Sequence, residues 1–221
     1  MSAHPRDRTI VAPYRHLMRN VPEHRQKVRN GILIAAREIA ASEGWRAVTI
    51  REIGKRIGYK QPAIYEYFVS KDHLLLEVLR QGYAEQLEAM RAARQAAEGP
   101  EEALFGMWRA YVNFAKSFPH LYQVMYGAEE ASFSGEKARE IGEKMGEKLV
   151  EAVAEAVEEV LRENGEEEEA AEDSQGKATL LWGNVHGLVS LWMVERLPGG
   201  QEVESVVDQA VCVHLASWRG G

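Results

Sequence analysis

Residues 49–71 read TIREIGKRIGYKQPAIYEYFVSK, and this stretch predicts two short helices joined by a tight turn. Thr49 is placed to cap the first helix. In a reciprocal capping box its hydroxyl accepts a hydrogen bond from the Glu52 N–H, and the Glu52 carboxylate accepts one from the Thr49 N–H. Gly58 can adopt the left-handed conformation that ends a helix, and Pro62 suits the first turn of the next one. The stretch therefore indicates a helix, a turn and a second helix.

The second predicted helix carries side chains that suit contact with nucleic acid. These candidates are Lys60, Gln61, Tyr65 and Tyr67. The amide of Gln61 can bond bidentately to the N6 and N7 edge of adenine, and a Lys or Tyr side chain can hold phosphate oxygens. Lys71 follows Ser70, the predicted N-cap of the next helix, where exposed N–H groups and the positive end of the helix dipole favour an anion. We therefore expect a phosphate beside Lys71.

These residues resemble the pattern of the tetracycline-repressor family, the TetR/AcrR-like one-component transcriptional regulators. The matching positions are Thr49, Arg51, Glu52, Ile53, Gly58, Ile64, Tyr65, Tyr67, Phe68, Ser70 and Lys71. The resemblance covers roughly residues 25–80 and agrees in both spacing and residue type. Two positions depart from the commonest pattern. Gly54 stands where Ala is usual, and Lys60 stands where Ser often caps the recognition helix.

The resemblance implies an all-α fold of about nine helices and a function in DNA-binding transcriptional regulation. We expect a flexible basic arm at residues 1–22, a three-helix head with a helix-turn-helix at residues 23–72, and a helical body for effector binding and dimerisation at residues 73–221. The implied partner is double-stranded DNA, bound as a palindromic operator by a homodimer. The implied DNA-binding residues are Thr49, Arg51, Lys60, Gln61, Pro62, Tyr65, Tyr67 and Lys71.

Charge is distributed unevenly along the 221-residue chain, whose net charge is −7. Residues 1–97 hold 17 Lys and Arg against 10 Asp and Glu, whereas residues 98–221 hold 10 against 24. Such a chain orients its basic end toward a polyanion, although a solvated acidic surface explains the same counts. The arginines of the arm suit a narrow minor groove, and a leader without a role is the alternative.

Cysteine content and hydropathy indicate the cellular compartment in which we expect the protein. The single cysteine, Cys212, excludes an intrachain disulfide and predicts a reducing environment. No apolar stretch reaches the roughly 20 residues that span a bilayer, and the polar N-terminus lacks the apolar region of a signal peptide. We therefore expect a cytoplasmic protein without a membrane partner.

Apolar residues at helical spacing predict further helices along the chain. Gly99 and Pro100 break the long helix that begins near Ser70 and joins the head to the body. The other predicted segments are helices at 23–43, 101–118, 134–164, 175–196 and 202–218, a short piece at 121–126, and an exposed acidic loop at 166–169.

Small and apolar residues in the last quarter of the chain predict a dimer interface. Gly183, Gly187 and Ser190 leave a low ridge that another helix can approach closely. Two such helices from each of two chains can form a four-helix seam, although a core within one chain accounts for the same residues. Trp182, His186 and Gly187 also resemble the Trp-His-Gly (WHG) signature of one subgroup of C-terminal domains in the family. The predicted interface residues are Trp182, Gly183, Gly187, Leu191, Val207 and Val211.

Aromatic residues crowd the middle of the C-terminal part and predict an effector pocket. The candidates are Trp108, Tyr111, Phe118, Tyr122, Met125, Tyr126, Phe133 and His186. Helix bundles commonly bind apolar ligands between such side chains, and the family resemblance favours a small apolar or aromatic effector. An ordinary core is the alternative for each of these residues, and His186 alone also fits a satisfied core or interface histidine.

No pattern in the chain indicates catalysis, a cofactor or a metal site. No two of the seven histidines are four residues apart, and the chain has no nucleophile elbow, phosphate-binding loop or dinucleotide fingerprint. The leading hypothesis is a repressor that a small molecule releases from its operator. One rival is a helical enzyme or ligand carrier with a purely structural helix-turn-helix, and another is an interaction module that uses the acidic C-terminal surface.

Overall fold

The computed structural model describes residues 22–126 and 135–219, and these residues form nine α-helices without a strand. The all-α class predicted from the sequence is confirmed. Single 3-10 turns at Trp45–Ala47 and Pro198–Gly200 lie ahead of the second and the last helix. In chain order the helices are α1 (Pro22–Glu43), α2 (Ile50–Ile57), α3 (Gln61–Tyr65), α4 (Lys71–Ala96), α5 (Pro100–Ser117), α6 (Pro119–Met125), α7 (Glu136–Glu163), α8 (Glu167–Met193) and α9 (Val203–Trp218).

One predicted segment is wrong. The acidic run at 166–169, expected as an exposed loop, begins α8 instead, with Glu166 as the N-cap and Glu167 as the first helical residue. Carboxylates interact favourably with the positive end of a helix, so such a run suits a first turn as well as a loop. The helix predicted at 175–196 therefore starts earlier than expected. The basic arm up to residue 21 and the pocket candidate Phe133 lie outside the described residues.

Residues 22–72, called the head below, contain α1, α2 and α3, and α2 packs against both α1 and α3. The buried apolar residues of the head with no exposed surface include Ile32 and Ile39 of α1, Val48 ahead of α2, Ile53 of α2, Ile64 of α3 and Phe68 after α3. Burying one such side chain stabilises a fold by about 1.5–3 kcal/mol relative to leaving it in water. Because α3 has only five residues, packing of Ile64 and Phe68 holds it in place rather than helix propensity.

α4 runs from the head into the body as one helix of 26 residues, about 39 Å long at 1.5 Å per residue. It buries Leu74 and Val78 near its start, and Leu87 and Met90 further along. It contacts α1 of the head as well as α5, α6 and α7 of the body. The link between head and body is therefore a continuous helix with apolar packing along most of its length.

Two ion pairs fix α1 alongside α4. Arg29 Nη2 lies 3.0 Å from Glu77 Oε1, and Arg37 donates to both carboxylate oxygens of Glu85 at 2.6 and 2.9 Å. Partly exposed pairs of this kind contribute about 0–1 kcal/mol each, so they define the register of the two helices more than they stabilise the fold.

The short helix α6 lies between the head and the body, in contact with α1, α4 and α5. On the head side, Trp45 Nε1 donates to the His120 carbonyl at 2.9 Å, and Trp45 is only 3% exposed. On the body side, the Tyr83 hydroxyl donates to the Met125 carbonyl. Gly82 permits this close approach, because a Cβ there would stand 2.8 Å from Met125 Sδ.

The body is a bundle in which α8 packs along α7, and α9 packs on α5 and α8. The side chains that α7 buries are all aliphatic, whereas α5 and α6 also bury the aromatic residues Trp108, Tyr111, Phe114 and Tyr122. Exposed ion pairs join neighbouring helices at the surface. Arg94 of α4 donates to Glu155 and Glu159 of α7, and Arg109 of α5 binds Asp208 of α9.

Candidate functional site

The start of the helix-turn-helix has half of the predicted capping box. Thr49 Oγ1 accepts a hydrogen bond from the Glu52 N–H at 3.1 Å, as expected. The returning half of the prediction is wrong, because the Glu52 carboxylate accepts from Lys55 Nζ at 2.8 Å instead. This hydrogen bond from Lys55 lowers the pKa of Glu52. A charged donor one turn away on the same exposed face competes successfully with a neutral backbone N–H.

The turn between α2 and α3 depends on two glycines. Gly58 has φ 72° and ψ 27°, the left-handed conformation that the sequence predicted for the end of α2. The N–H groups of Gly58 and Tyr59 both donate to the Gly54 carbonyl. A Cβ on Gly54 would lie 2.6 Å from the Tyr59 carbonyl oxygen. The departure from the common Ala therefore coincides with a turn that closes tightly onto α2.

α3 presents most of its predicted contact side chains to solvent. Lys60, Gln61, Pro62 and Tyr65 are exposed, with Tyr65 49% exposed. Within the described part of the chain, the side chains of Lys60, Gln61 and Tyr65 have no hydrogen-bond or ion-pair partner. Tyr67 is different, because it is partly buried and Arg25 stacks over its ring at 5.4 Å. It is positioned to support the exposed face more than to extend from it.

The start of α4 adds a second polar site to the same end of the head. Ser70 Oγ accepts from the His73 N–H at 3.0 Å and caps the helix as predicted. A hydroxyl that accepts in this way keeps its own hydrogen to donate, and this holds for Thr49 as well. Lys71 is the first residue of α4 and has no ion-pair partner among the residues described. The Lys71 ammonium group and the Ser70 hydroxyl therefore both belong to the N-terminus of α4, where the helix dipole also favours an anion.

Ion pairing within the head leaves selected cations uncompensated. Arg29 and Arg37 pair with carboxylates of α4, and Arg56 lies within 4 Å of Glu38 and Glu43. Arg51, by contrast, is exposed on α2 and has no such partner in the described ranges, in common with Lys60 and Lys71. The cations of α2, α3 and the start of α4 are therefore available to a polyanion.

A second polar cluster lies inside the body, where α5, α6 and α8 meet. The hydroxyls of Tyr111 and Tyr122 are 2.9 Å apart, and each lies close to His186 Nδ1, at 3.0 and 2.9 Å respectively. His186 Nε2 faces Ser190 Oγ at 3.4 Å, and the His186 ring stacks on Trp182. The three groups form a triangle of contacts in the core.

The number of available protons limits how many of these three contacts can be hydrogen bonds at one time. Two hydroxyls supply two protons, and a neutral imidazole with its hydrogen on Nε2 accepts at Nδ1 but cannot donate there. At most two of the three short contacts are therefore hydrogen bonds at one time. Burial lowers the pKa of His186 and raises the pKa of Tyr111 and Tyr122. All three groups are consequently neutral at pH 7, which agrees with this proton arrangement.

Further polar atoms in the same cluster lack partners. The Tyr126 hydroxyl donates to Gln86 Oε1 at 2.7 Å, but Gln86 Nε2 is buried and finds no acceptor among the described residues. Trp108 Nε1 is in the same condition, and both side chains have no exposed surface. Gln86 was not identified from the sequence, and Ser190 was assigned there to the ridge of the dimer interface and not to this cluster. Gln86 stands on the buried stripe of α4 with Tyr83, and a polar residue at such a position is a signal that could have identified it.

The predicted pocket residues do not all lie together. Trp108, Tyr111, Tyr122, Met125, Tyr126 and His186 share the interior cluster or its edge. Phe118 is the exception: it is 43% exposed, its ring packs on Phe114, and Arg37 stacks over it at 5.1 Å. The helix break before Pro119 turns Phe118 outward, toward the junction of head and body.

The predicted dimer residues lie in three places: on the outer side of α8, against His186, and in the core. Gly183 and Leu191 lie on the outer side of α8, with Leu191 42% exposed and open space beside Gly183 and Gly187. Trp182 is partly buried against His186. Val207 and Val211, at 0% and 1% exposure, belong to the inner stripe of α9 that packs on α5 and α8, so their predicted place in an interface is wrong. The exposed large apolar residues are Leu180 and Leu191 of α8, Val194 at the C-cap of α8, and Val213 of α9.

The residues that the structure describes contain no group of three or more His, Cys, Asp and Glu side chains placed to hold a metal ion. Among the same residues, no helix combines the length and the apolar character that crossing a membrane requires.

Family comparisons agree with this geometry. Residues 32–78 match the family described as bacterial regulatory proteins, tetR family, and residues 104–213 match the tetracyclin repressor-like C-terminal domain. The chain is 28% identical over 102 residues to the HTH-type transcriptional activator FasR of Mycolicibacterium smegmatis. That alignment covers 46% of this chain and 47% of FasR, so it spans about half the length of that relative.

Solved structures share the fold over most of the chain. A transcriptional regulator of the TetR/AcrR family from Thermobifida fusca is 22% identical with a TM-score of 0.60, and the similarity covers 87% of this chain and 99% of that one. The regulator FadR from Bacillus subtilis, in complex with stearoyl-CoA, is 16% identical with a TM-score of 0.68, covering 85% and 97%.

A helix-turn-helix head with uncompensated cations, joined to an all-helical body, defines a DNA-binding transcriptional regulator. With both family matches in the expected order along the chain, this protein belongs to the tetR family of bacterial regulatory proteins. Its membership of the Trp-His-Gly subgroup stays a prediction.

We expect acidification to destabilise the wild-type protein more than a His186→Gln variant. Burial lowers the pKa of His186, so on unfolding this pKa rises toward about 6.5 and the unfolded chain binds the extra proton. Stability from this group is fully present above about pH 6.5 and is lost as the pH falls through the lower folded-state pKa. Denaturant unfolding at about pH 7.5 and about pH 5.5, at one protomer concentration, measures the difference.

Burial lowers the pKa of His214 as well, and both proteins keep that contribution. An equal loss of stability in the two proteins on acidification would show that folding leaves the pKa of His186 unchanged.

Proposed function

We propose that the protein acts as a homodimer whose two heads bind successive major grooves of a palindromic operator. The observation that carries this proposal is the exposed face of α3, where Lys60, Gln61 and Tyr65 project without a partner among the described residues. Exposed polar side chains that the protein does not use internally fit the edges of bases and the phosphates beside them.

Individual contacts follow from the chemistry of each side chain. Gln61 offers an amide that suits adenine, and it stands at the N-terminal end of α3, where recognition helices usually contact bases. Thr49, Arg51 and Lys71 frame it with hydroxyl and cationic groups that suit phosphates. Tyr65 belongs to the same exposed face, and Pro62 fixes the first turn of α3. Tyr67 supports the face from a partly buried position.

Selection from random duplex DNA should enrich a palindrome whose half-sites are about 10–10.5 base pairs apart or a multiple of this. On that site, Gln61→Ala should lose about 1–3 kcal/mol at one base position, because one base contact disappears. Lys71→Ala should weaken binding to all sequences alike and lower the salt slope by about one, because one phosphate contact disappears. Fluorescence anisotropy over a salt series measures both effects.

Lys148→Ala is the matched control, since Lys148 is an exposed cation of α7 in the body. It should leave affinity and salt slope unchanged. Equal losses on cognate and scrambled DNA for Gln61→Ala would remove its assigned role, and no enriched palindrome would contradict the proposed operator.

The dimer is proposed to form through the outer faces of α8 and α9. Gly183, Gly187 and Leu191 recur about one turn apart on α8, and Val213 is 67% exposed on α9. Small residues permit close approach, and exposed apolar residues around them supply area that water would otherwise cover. This surface replaces the predicted contributions of Val207 and Val211, which are used inside the chain.

Leu191→Glu should shift the protein toward the monomer, because a charge would be buried at the seam of two helices. Analytical ultracentrifugation over a dilution series gives the dimer dissociation constant. Ile34→Glu is the control, since Ile34 is 56% exposed on α1 of the head and lies outside the proposed surface. A dissociation constant that Leu191→Glu leaves unchanged contradicts the proposed seam.

The effector is proposed to bind at the cluster of Tyr111, Tyr122 and His186. Support comes from two buried donors without a partner in the described part of the chain, Gln86 Nε2 and Trp108 Nε1, which an apolar ligand with hydrogen-bond acceptors would satisfy. α6 connects this cluster to the head, because Tyr122 belongs to the cluster and the neighbouring His120 carbonyl accepts from Trp45. A ligand that displaces α6 would thereby bias the position of the head.

Stearoyl-CoA is the first effector to test, because FadR from Bacillus subtilis was crystallised with it. If it releases operator DNA, Tyr122→Phe should raise the half-release concentration about two- to tenfold, because a neutral hydrogen bond contributes about 0.5–1.5 kcal/mol. Operator affinity without ligand should not change and serves as the control. A half-release concentration that Tyr122→Phe leaves unchanged would place the effector elsewhere.

Effector-released repression is our proposal for the regulatory mode, and we infer no catalytic role, since the relatives found by comparison are regulators. Activation is a second candidate because FasR is an activator. Reporter expression from a promoter that carries the selected operator distinguishes the two modes, since repression lowers the output and activation raises it.

A further inference from the structure

A cavity of about 210 Å³ lies where the head meets the body, between the C-terminal half of α1 and the corner of α5 and α6. Its floor consists of Ala40, Trp45 and Leu121, which are 1%, 3% and 4% exposed. Phe118, 43% exposed, stands at the rim. The site is separate from the tyrosine–histidine cluster, and aromatic or aliphatic side chains form most of its wall. The floor is thus built and apolar, while the mouth opens to solvent.

The polar residues of the wall are Arg37, Ser117 and His120. Arg37 is already neutralised, because both of its terminal nitrogens donate to the Glu85 carboxylate. His120 Nδ1 is buried and has no hydrogen-bond partner among the residues described. Buried polar atoms are rarely left unsatisfied, so a rotation of the His120 ring toward the cavity would let a bound molecule supply the missing partner.

The charges on the wall decide which guests are favoured. A carboxylate placed beside Arg37 would gain attraction from the guanidinium and lose it to the adjacent Glu85, so it would not recover its desolvation cost. A neutral ring avoids this cost and packs against Trp45 and Phe118. An apolar cavity of about 150 Å³ accommodates benzene, so about 210 Å³ accommodates one ring with a polar substituent or two fused rings.

We propose that this cavity binds a small neutral aromatic molecule with a hydrogen-bonding substituent, and that occupancy changes the angle between head and body. The second half rests on the proposed function in DNA binding. The cavity is well placed for it, because α1 on one wall carries the head and α6 on the other belongs to the body. A molecule bound between α1 and α6 would push these two helices apart.

Benzamide and benzoate are suitable probes, since they share shape and differ in charge. Benzamide titrated into the full-length ¹⁵N-labelled protein should shift the Trp45 indole N–H signal, assigned from its absence in Trp45→Phe, and leave the Trp108 and Trp182 signals in place. Benzoate should bind more weakly. Glu85→Gln should reverse this preference, because it leaves Arg37 uncompensated.

Ala41→Phe blocks the mouth, because Ala41 is an exposed rim residue. It should abolish the Trp45 shift, whereas Ala92→Phe, the same change at an exposed position of α4, should preserve it. A shift confined to Trp108 or Trp182, no shift at the solubility limit of benzamide, or a shift that survives Ala41→Phe overturns the site. Benzoate binding as tightly as benzamide overturns the preference for a neutral guest.

The proposed effect of cavity occupancy on DNA binding is measured separately. Saturating benzamide should change operator affinity about fivefold or more in the wild type and not in Ala41→Phe. Unchanged operator affinity with the cavity occupied overturns this half. A Trp45 shift in a protein that binds no operator would leave the site standing and show instead that the proposed function has failed.

Discussion

Burial of α4 in two places constrains the whole chain. Its first turns complete the core of the head through Leu74 and Val78, and its later turns bury Leu87 and Met90 in the body. Close-packed interiors transmit displacement rather than absorb it, so the head cannot tilt without a response along this helix or at the surfaces beside it. Of the four helices named above as contacts of α4, α6 is the shortest. It has only seven residues, and it contacts both the head and the body.

Local rules made the helix-turn-helix predictable from residues 49–71. The cap at Thr49 and the left-handed Gly58 depend on residues within one turn, and the structure contains both. The part that failed was also local: Glu52 had two possible donors, and the sequence does not rank a lysine one turn ahead against a backbone N–H. Gly54 shows the opposite case, because its departure from the family pattern makes sense only when the approach of the Tyr59 carbonyl is known.

The helices of the body were predicted correctly, but the side of each helix that packs within the chain was predicted less well. Helical periodicity identifies an apolar stripe, but it does not say whether the stripe meets the same chain or another. Val207 and Val211 were therefore assigned to an interface and lie in the core. Phe118 was grouped with residues close in sequence, although the break before Pro119 turns it outward. The contacts of His186 with Tyr111 and Tyr122 join residues at least 64 positions apart, which no local pattern reveals.

The unequal charge of the two parts has a consequence for how many duplexes one molecule can hold. Residues 98–221 carry 24 acidic against 10 basic side chains, so the far end of the molecule repels any polyanion that approaches it. A protein with cations at both ends would bridge distant DNA segments and condense them at high concentration. This polarity disfavours contact between the acidic body and a second duplex.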